Sequence, residues 1–326
     1  MPESLREPER GNSPFRIDVE PLDIPHLRKV SSILFGHVEA SARARQLNHL
    51  LQESAAAGER CGILVARDLD ERTLGALAWY IQPGRTAIAT PPGVVPPAGN
   101  RLITELLRRA CREVERYHID LMFLTLESHR HYMIRAIEEA GLKHLANLAY
   151  MVATLDEFPE APPRSALKLH PYGETSPSKF AAIVEATYED TLDCPALNGM
   201  RDIDDVLSGY KTIGQSPTSL WYVIMAENRP VGCLLLADHP DTESLELVYM
   251  GLIKSARGNG WGLAATQYAQ WIARQLGRRS ILLAVDEANE PALHMYSKAG
   301  FCAFERRLVF MYRPTPDESG QAAEEA

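Results

Sequence analysis

The chain has 326 residues, 45% of them hydrophobic and 24% charged, with a formal net charge of −9. That is enough for two ordinary soluble domains and too ordinary for a fibrous or disordered chain. Four acidic residues, Asp317, Glu318, Glu324 and Glu325, sit among the last ten, so the remaining acidity is mild and leaves no broad basic footprint for nucleic acid.

No apolar run reaches the length of a membrane span. The polar stretch Met1 to Pro14 lacks the apolar core of a signal peptide and reads as a loose tail. Cys61, Cys111, Cys194, Cys233 and Cys302 are odd in number and scattered without a CxxC pair. Neither a metal site nor a disulfide framework is expected, and a reducing cytoplasm is the natural compartment.

From Pro25 to about Ala57 the pattern is helical. Cys61 to Arg67 and Thr73 to Ile81 read as a hairpin, and Thr86 to Thr90 as a third strand, before Pro91, Pro92, Pro96 and Pro97 interrupt. Arg101 to Tyr117 carries apolar residues at helical spacing, Leu121 to Leu126 is a buried-type strand, His131 to Ala140 a helix closed by Gly141, and Leu148 to Leu155 a last strand. The proline-rich stretch Pro159 to Pro163 is the candidate linker.

A second pass then repeats the order. A strand at Leu167 to Leu169 precedes helices at Ser178 to Tyr188 and Ile203 to Tyr210, and a hairpin joins Trp221 to Ala226 with Val231 to Ala237. The strand Leu245 to Ile253, the helix Leu263 to Leu276, the strand Ile281 to Val285, the helix Pro291 to Ala299 and the strand Phe304 to Tyr312 complete it. The helix–strand–helix run ending at Gly141-Leu142 matches the one ending at Gly300-Phe301, an offset of 159 residues (300 − 141). This predicts duplication of a whole domain, with a tail at 1–14, one domain at 15–157, a linker at 158–166, a second domain at 167–314 and an acidic tail at 315–326.

Chemistry concentrates in the second pass. Arg257-Gly258-Asn259-Gly260-Trp261-Gly262 follows a strand and opens a helix. Such a loop points backbone N–H groups and the positive end of a helix dipole at one spot, a cradle for phosphate; alone, it is equally an ordinary turn. A second segment reads Asn289-x-x-Ala292-x-x-x-Tyr296-x-x-x-Gly300-Phe301.

With both motifs in register, the stretch from about Leu167 to Tyr312 resembles the GNAT family of acyl-CoA-dependent N-acetyltransferases. The resemblance implies an α/β (α+β) chain of two tandem GNAT folds, each a mixed, mostly antiparallel sheet flanked by helices. It implies acetyl-CoA as acyl donor and no metal. Backbone groups of Gly251, Leu252 and Ile253 would hold the pantetheine arm, with Arg257 and the amides of Gly258, Asn259, Gly260, Trp261, Gly262 and Leu263 at the pyrophosphate. Asn289 and Ala292 would face the arm, and Tyr296 would protonate the departing thiolate.

Glu246, the only acidic residue between Leu245 and Arg257, is the candidate general base, acting through a water. It equally fits an outward-facing strand residue. Asn289 fits a helix cap as well as a ligand contact, and Tyr296 fits core packing as well as catalysis. On the acceptor side, Glu189, Asp190, Asp193 and Asn198 lie in the loop between the second pass's first two helices, where they could attract an amine or form a plain acidic loop.

In the first pass, Pro96 and Pro97 remove two donors from the corresponding loop, and Ile137 stands where Tyr296 would be. That copy is expected not to bind acyl-CoA productively. It would instead complete the sheet, shape the acceptor cleft or replace a dimer partner, the last giving a monomer with an internal pseudo-dimer.

The expected activity is therefore acetyl transfer from acetyl-CoA to a primary amine in the second domain. The alternatives are a non-catalytic acyl-CoA-binding scaffold, or an amino-sugar acetyltransferase, since tandem copies with only the later one furnished resemble the mycothiol synthase branch of the family.

Overall fold

The computed structural model describes residues 15–96, 99–215 and 217–314. The expected tails at 1–14 and 315–326 lie outside these residues, as do Pro97 and Ala98 of the first pass's loop.

The first half runs β1 (Arg16–Glu20), α1 (Ile24–Leu34), α2 (Ala40–Ala57), β2 (Cys61–Arg67), β3 (Thr73–Gln82), β4 (Thr86–Ala89), β5 (Gly93–Val94), α3 (Asn100–Glu115), β6 (Leu121–Glu127), α4 (Ile134–Glu139) and β7 (Lys143–Thr154). The second half runs β8 (Leu167–Pro171), α5 (Pro177–Ala186), α6 (Ile203–Tyr210), β9 (Trp221–Ala226), β10 (Arg229–His239), β11 (Ser244–Leu252), α7 (Trp261–Gln275), β12 (Ser280–Asp286), α8 (Glu290–Lys298) and β13 (Cys302–Tyr312).

The expected element types hold, with four adjustments. The single helical run from Pro25 to Ala57 is two helices, α1 being capped by Asp23, whose carboxylate accepts the His26 N–H at 3.0 Å. The helix expected at His131 to Ala140 starts as a 3₁₀ turn through Met133. Strands β1 and β5 carry too little pattern to be read, one being short and half-exposed and the other two residues long. Strand β7 begins five residues earlier than expected, at Lys143, because its first residues pair with β13 rather than with its own half.

Among the described residues the strands form one sheet in the order β1-β2-β3-β4-β6-β13-β7-β12-β11-β10-β9-β8, with β5 on the side of β3. The last strands are exchanged. Strand β13 lies antiparallel to β6 of the first half, and β7 lies antiparallel to β12 of the second. The two pair with each other in between.

Packing follows the exchange. Phe310 of β13 is fully buried in the first half's core with Leu106, Leu107 and Leu124, while Ala149, Met151 and Ala153 of β7 pack in the second half's core with Ala265, Ala269 and Tyr296. Each half thus buries the other's strand, and the buried Phe310 ring alone contributes about 1.5–3 kcal/mol. The proline-rich connection is also tied down. Phe158 sits in the second core, and Arg274 donates to the carbonyls of Phe158 and Leu155 at 2.8 and 3.1 Å.

Helices cover both faces. In the second half, α5 and α6 pack on one face around Phe180, Val184, Leu207 and Trp221, and α7 and α8 on the other. Small residues Ala265, Ala269 and Ala273 on α7 are fully buried, so the helix lies close to the sheet. Gln270 Nε2 on α7 donates to the Ala299 carbonyl at 2.6 Å and fixes α8 beside it.

Candidate active site

The site is set by where β11 and β12 part. Parallel pairing joins Ser244, Leu245 and Glu246 to Ser280, Ile281 and Leu282, and stops there. The rest of β11, through Leu252, diverges from Leu283 to Asp286. On its other side β11 carries a bulge: Leu236 pairs with Leu247 but Leu235 with Tyr249, so Val248 is the extra residue. A bulge redirects the chain locally and is frequent beside active sites. The parted strands open into a cavity of about 560 Å³, floored by Leu247 to Leu252 and walled by the α7 loop, α8 and the loop after α5.

At its mouth, the loop before α7 takes the expected form. Gly258 and Gly260 have φ of +81° and +74°, with open space where a Cβ would stand, a conformation that disfavours any side chain. The helix starts at Trp261 with no side-chain cap. The amides of Gly258 to Leu263 have no acceptor among the described residues. An uncapped helix start with a glycine approach is an anion cradle.

Arg257 is spent otherwise. Its guanidinium donates to the carbonyls of Leu252, Thr187, Glu189 and Asp190 at 3.1, 2.8, 2.7 and 2.9 Å. It is a strut between the end of β11 and the loop after α5, and its positive charge stays at the rim.

Helix α8 explains the second motif. The Asn289 side-chain oxygen Oδ1 caps it by accepting the Ala292 N–H at 3.3 Å, while Asn289 also lines the cavity. At the other end Gly300 has φ +85°, and the Phe301 N–H returns to the Tyr296 carbonyl at 3.0 Å, a left-handed helix stop that only glycine takes easily. Phe301 then lies 5.6 Å from the Tyr296 ring. Tyr296 is 6% exposed and lines the cavity. Burial, helped by the charge of Asp193, holds its phenol well above the usual tyrosine range, so it stays protonated at neutral pH.

Of the acceptor-side candidates, Asp193 reaches furthest in. It lines the cavity, and one of its oxygens accepts the Asp286 N–H at 3.1 Å. In return Asp286 accepts the Cys194 N–H at 3.2 Å. Burial and the nearby Asp286 charge raise the Asp193 carboxyl above the ordinary aspartate range. The same surroundings push the Cys194 thiol up to about 12, which removes thiolate character.

Asp190 lines the rim, but its charge is met by Lys254 at 2.7 Å, which lowers its carboxyl. Glu189 pairs with the same lysine at 3.4 Å. Asn198 is exposed, donates to the Tyr188 carbonyl and does not line the cavity.

Glu246 is the last residue of β11 paired with β12, at the apex where the strands part, on the sheet face of α5 and α6. It is hydrogen-bonded to His239 at 2.8 Å. That bond raises the imidazole above the ordinary histidine range.

The structure therefore brings together Gly251, Leu252, Arg257, Gly258, Gly260, Gly262, Leu263, Asn289, Ala292, Asp190, Asp193 and Tyr296 around one cavity. Glu246, Ile253, Asn259, Trp261 and Glu189 flank it without lining it. Sequence reasoning missed His239, Thr187 and Tyr249. Tyr249 shares a 2.7 Å hydrogen bond with Thr187, and the two press on Gly251, where a Cβ would stand 2.6 Å from Thr187 Oγ1. A glycine inside a strand was the only signal of that close approach.

The first half lacks these features. By strand register Ile88 stands opposite Phe123 as Glu246 stands opposite Leu282. At the place of Asn289 is Arg130, 4% exposed, whose guanidinium donates to the Pro92 carbonyl at 2.8 Å and meets Glu127 at 3.5 Å. A protein side chain fills that position.

Two parallel strands thus part over an uncapped helix start, within a mixed sheet covered on both faces. Residues 184–301 match the acetyltransferase (GNAT) family, so this stretch of the second half is similar to that family. Eighty-two residues are 34% identical to a mycothiol acetyltransferase of Jonesia denitrificans; the match spans 25% of this chain and 26% of that relative. Among solved structures, a GCN5-related N-acetyltransferase from Sphaerobacter thermophilus superposes with a TM-score of 0.61 at 17% identity, over 93% of this chain and 98% of the other. A tandem GNAT protein from the clavulanic acid biosynthesis pathway superposes with a TM-score of 0.52 at 13% identity, over 93% and 100%. At these identities the likeness is one of fold. Among the described residues no helix is long and apolar enough to cross a membrane, and no cluster of ligating side chains is placed to hold a metal.

Proposed function

We propose that the protein transfers the acetyl group of acetyl-CoA directly to a primary amine, at the cavity of the second half. The observation that carries this is the cleft between β11 and β12, which leads from the unbonded amides of Gly258 to Leu263 down to the buried Tyr296. The amides suit a pyrophosphate. In this reading the backbone of Gly251 and Leu252 and the side chain of Asn289, which line the cleft, hold the arm of the carrier that supplies the activated thioester, whereas the Ile253 N–H and carbonyl are already bonded to Val231 and Ala256.

The rest is done by the protein's own groups. An amine acceptor is mostly protonated at neutral pH and must lose a proton to become a nucleophile. Glu246 takes it through a water, with His239 holding the carboxylate in place. Backbone N–H groups of β11 near the Val248 bulge would take up the developing negative charge. Tyr296, kept protonated by burial, gives its proton to the sulfur as the C–S bond breaks. The raised thiol of Cys194 disfavours a covalent acyl-enzyme.

Asp193 and Asp190 are proposed to draw the ammonium group toward the cavity. The first half is proposed as a non-binding partner copy, its place of entry filled by Arg130.

The test is release of free thiol from acetyl-CoA in the presence of a panel of amines. Tight binding without turnover for any acceptor would favour an acyl-CoA-binding scaffold. The partial match to a mycothiol acetyltransferase supports including amino sugars in the panel.

A further inference from the structure

Over the whole reaction the acceptor nitrogen sheds two protons, one before it attacks and one after the C–N bond has formed. The sulfur gains one, and one is left for solvent. Glu246 takes the first nitrogen proton and Tyr296 protonates the sulfur. The second nitrogen proton then lacks a receiver, and Tyr296 is left as a phenolate.

We propose that Asp193 receives the second proton directly from the acceptor nitrogen and returns it to Tyr296, closing the circuit within the cavity. This rests on the transferase reading and adds a group to it. Atoms balance: the C–N bond forms, the C–S bond breaks, Tyr296 protonates the sulfur, Asp193 takes the remaining nitrogen proton and passes it to the Tyr296 oxygen, and one proton leaves by Glu246.

Three observations carry it. Asp193 and Tyr296 line the same cavity and lie within electrostatic reach of each other. Asp193 is held in place without being used up: one oxygen accepts the Asp286 N–H, its own N–H donates to Thr191 Oγ1 at 3.1 Å, and its second oxygen accepts no hydrogen bond among the described residues. Cys194 beside it takes a left-handed φ of +45°, a conformation that costs a non-glycine residue about 1–2 kcal/mol and that is held by the bond to Asp286.

The groups facing Asp193 are Asp286 of β12, Tyr249 of β11, Tyr210 of α6, Tyr296 of α8 and its neighbour Cys194. None is a cation. Burial and the Asp286 charge raise the Asp193 carboxyl above the ordinary aspartate range, which makes its carboxylate a better proton acceptor while leaving it far more acidic than a phenol.

The experiment uses the full chain, acetyl-CoA, and benzylamine, 1,4-diaminobutane, glucosamine and a glycyl peptide as acceptors. Asp193→Asn keeps an oxygen for the Asp286 N–H. It should lower kcat by about a hundredfold or more, with calorimetric affinity for acetyl-CoA unchanged. The double variant Asp193→Asn/Tyr296→Phe should be no slower than the slower single variant, because both break one circuit. In the free protein, carbon-13 NMR should show the Asp193 carboxyl titrating above ordinary aspartates. A higher KM for the amine at unchanged kcat would reduce Asp193 to a docking group and overturn the proposal, as would multiplicative losses in the double variant. A wild-type protein inert toward every amine would overturn both this and the transferase reading.

Discussion

His239 Nε2 lies 2.8 Å from the Glu246 carboxylate, on adjacent antiparallel strands at the apex of the parted pair. The bond favours imidazolium, so His239 titrates above its ordinary value near 6.5. A pKa raised by folding contributes stability that is fully present below the unfolded value and is lost as pH rises through the folded one. The His239 resonance should therefore titrate high by NMR, and Glu246→Gln should bring it down. A midpoint unmoved by that substitution would separate the two side chains.

Tyr296→Phe keeps the ring that packs on Phe301 and removes only the hydroxyl. It should lower kcat by about a hundredfold or more while acetyl-CoA affinity stays the same. Equal kcat in the variant would return Tyr296 to a packing role.

Arg257 spans four carbonyls from two segments of chain, a task for a planar fork that lysine cannot perform. Arg257→Lys should lower stability by about 1.5–3 kcal/mol and raise the KM for the amine more than that for acetyl-CoA. Chemical denaturation and steady-state kinetics check both. A change confined to acetyl-CoA would make Arg257 a phosphate ligand instead.

The exchange of β7 and β13 makes each half depend on the other. Phe310→Ala, in the last strand of the second half, should cost about 3–5 kcal/mol and should loosen the first half, whose core it fills. Hydrogen exchange would show the loss around α3 and β6. Residues 167–314 expressed alone lack β7 and should fail to give a cooperative melt; an independently folded fragment would contradict this account of the packing.

The sequence made the element order, the duplication and most of the cavity wall legible because each leaves a local trace. Apolar spacing marks α3 and α7, glycines mark the α7 loop, and Asn289 to Phe301 is one capped helix with a glycine stop. The strand exchange left no trace, since β7 and β13 have the same pattern whichever neighbour they pair with. Nor did the Val248 bulge, which depends on register against β10. Arg257 was visible but its use was not: a guanidinium's partners here are backbone carbonyls up to 70 residues away in sequence. His239 was missed because its only signal is a partner across the strand pair. The expectation that the first half does not bind acyl-CoA was read from prolines, whereas the structure adds Arg130, a residue with no local motif.

The most direct measurement is a calorimetric titration of the intact protein with acetyl-CoA, repeated on a Gly260→Pro variant that strains the loop before α7 and removes one of its amides. The account predicts one site per chain in the wild type and its loss in the variant. No binding, or a site that survives in the variant because it lies in the first half, would contradict it.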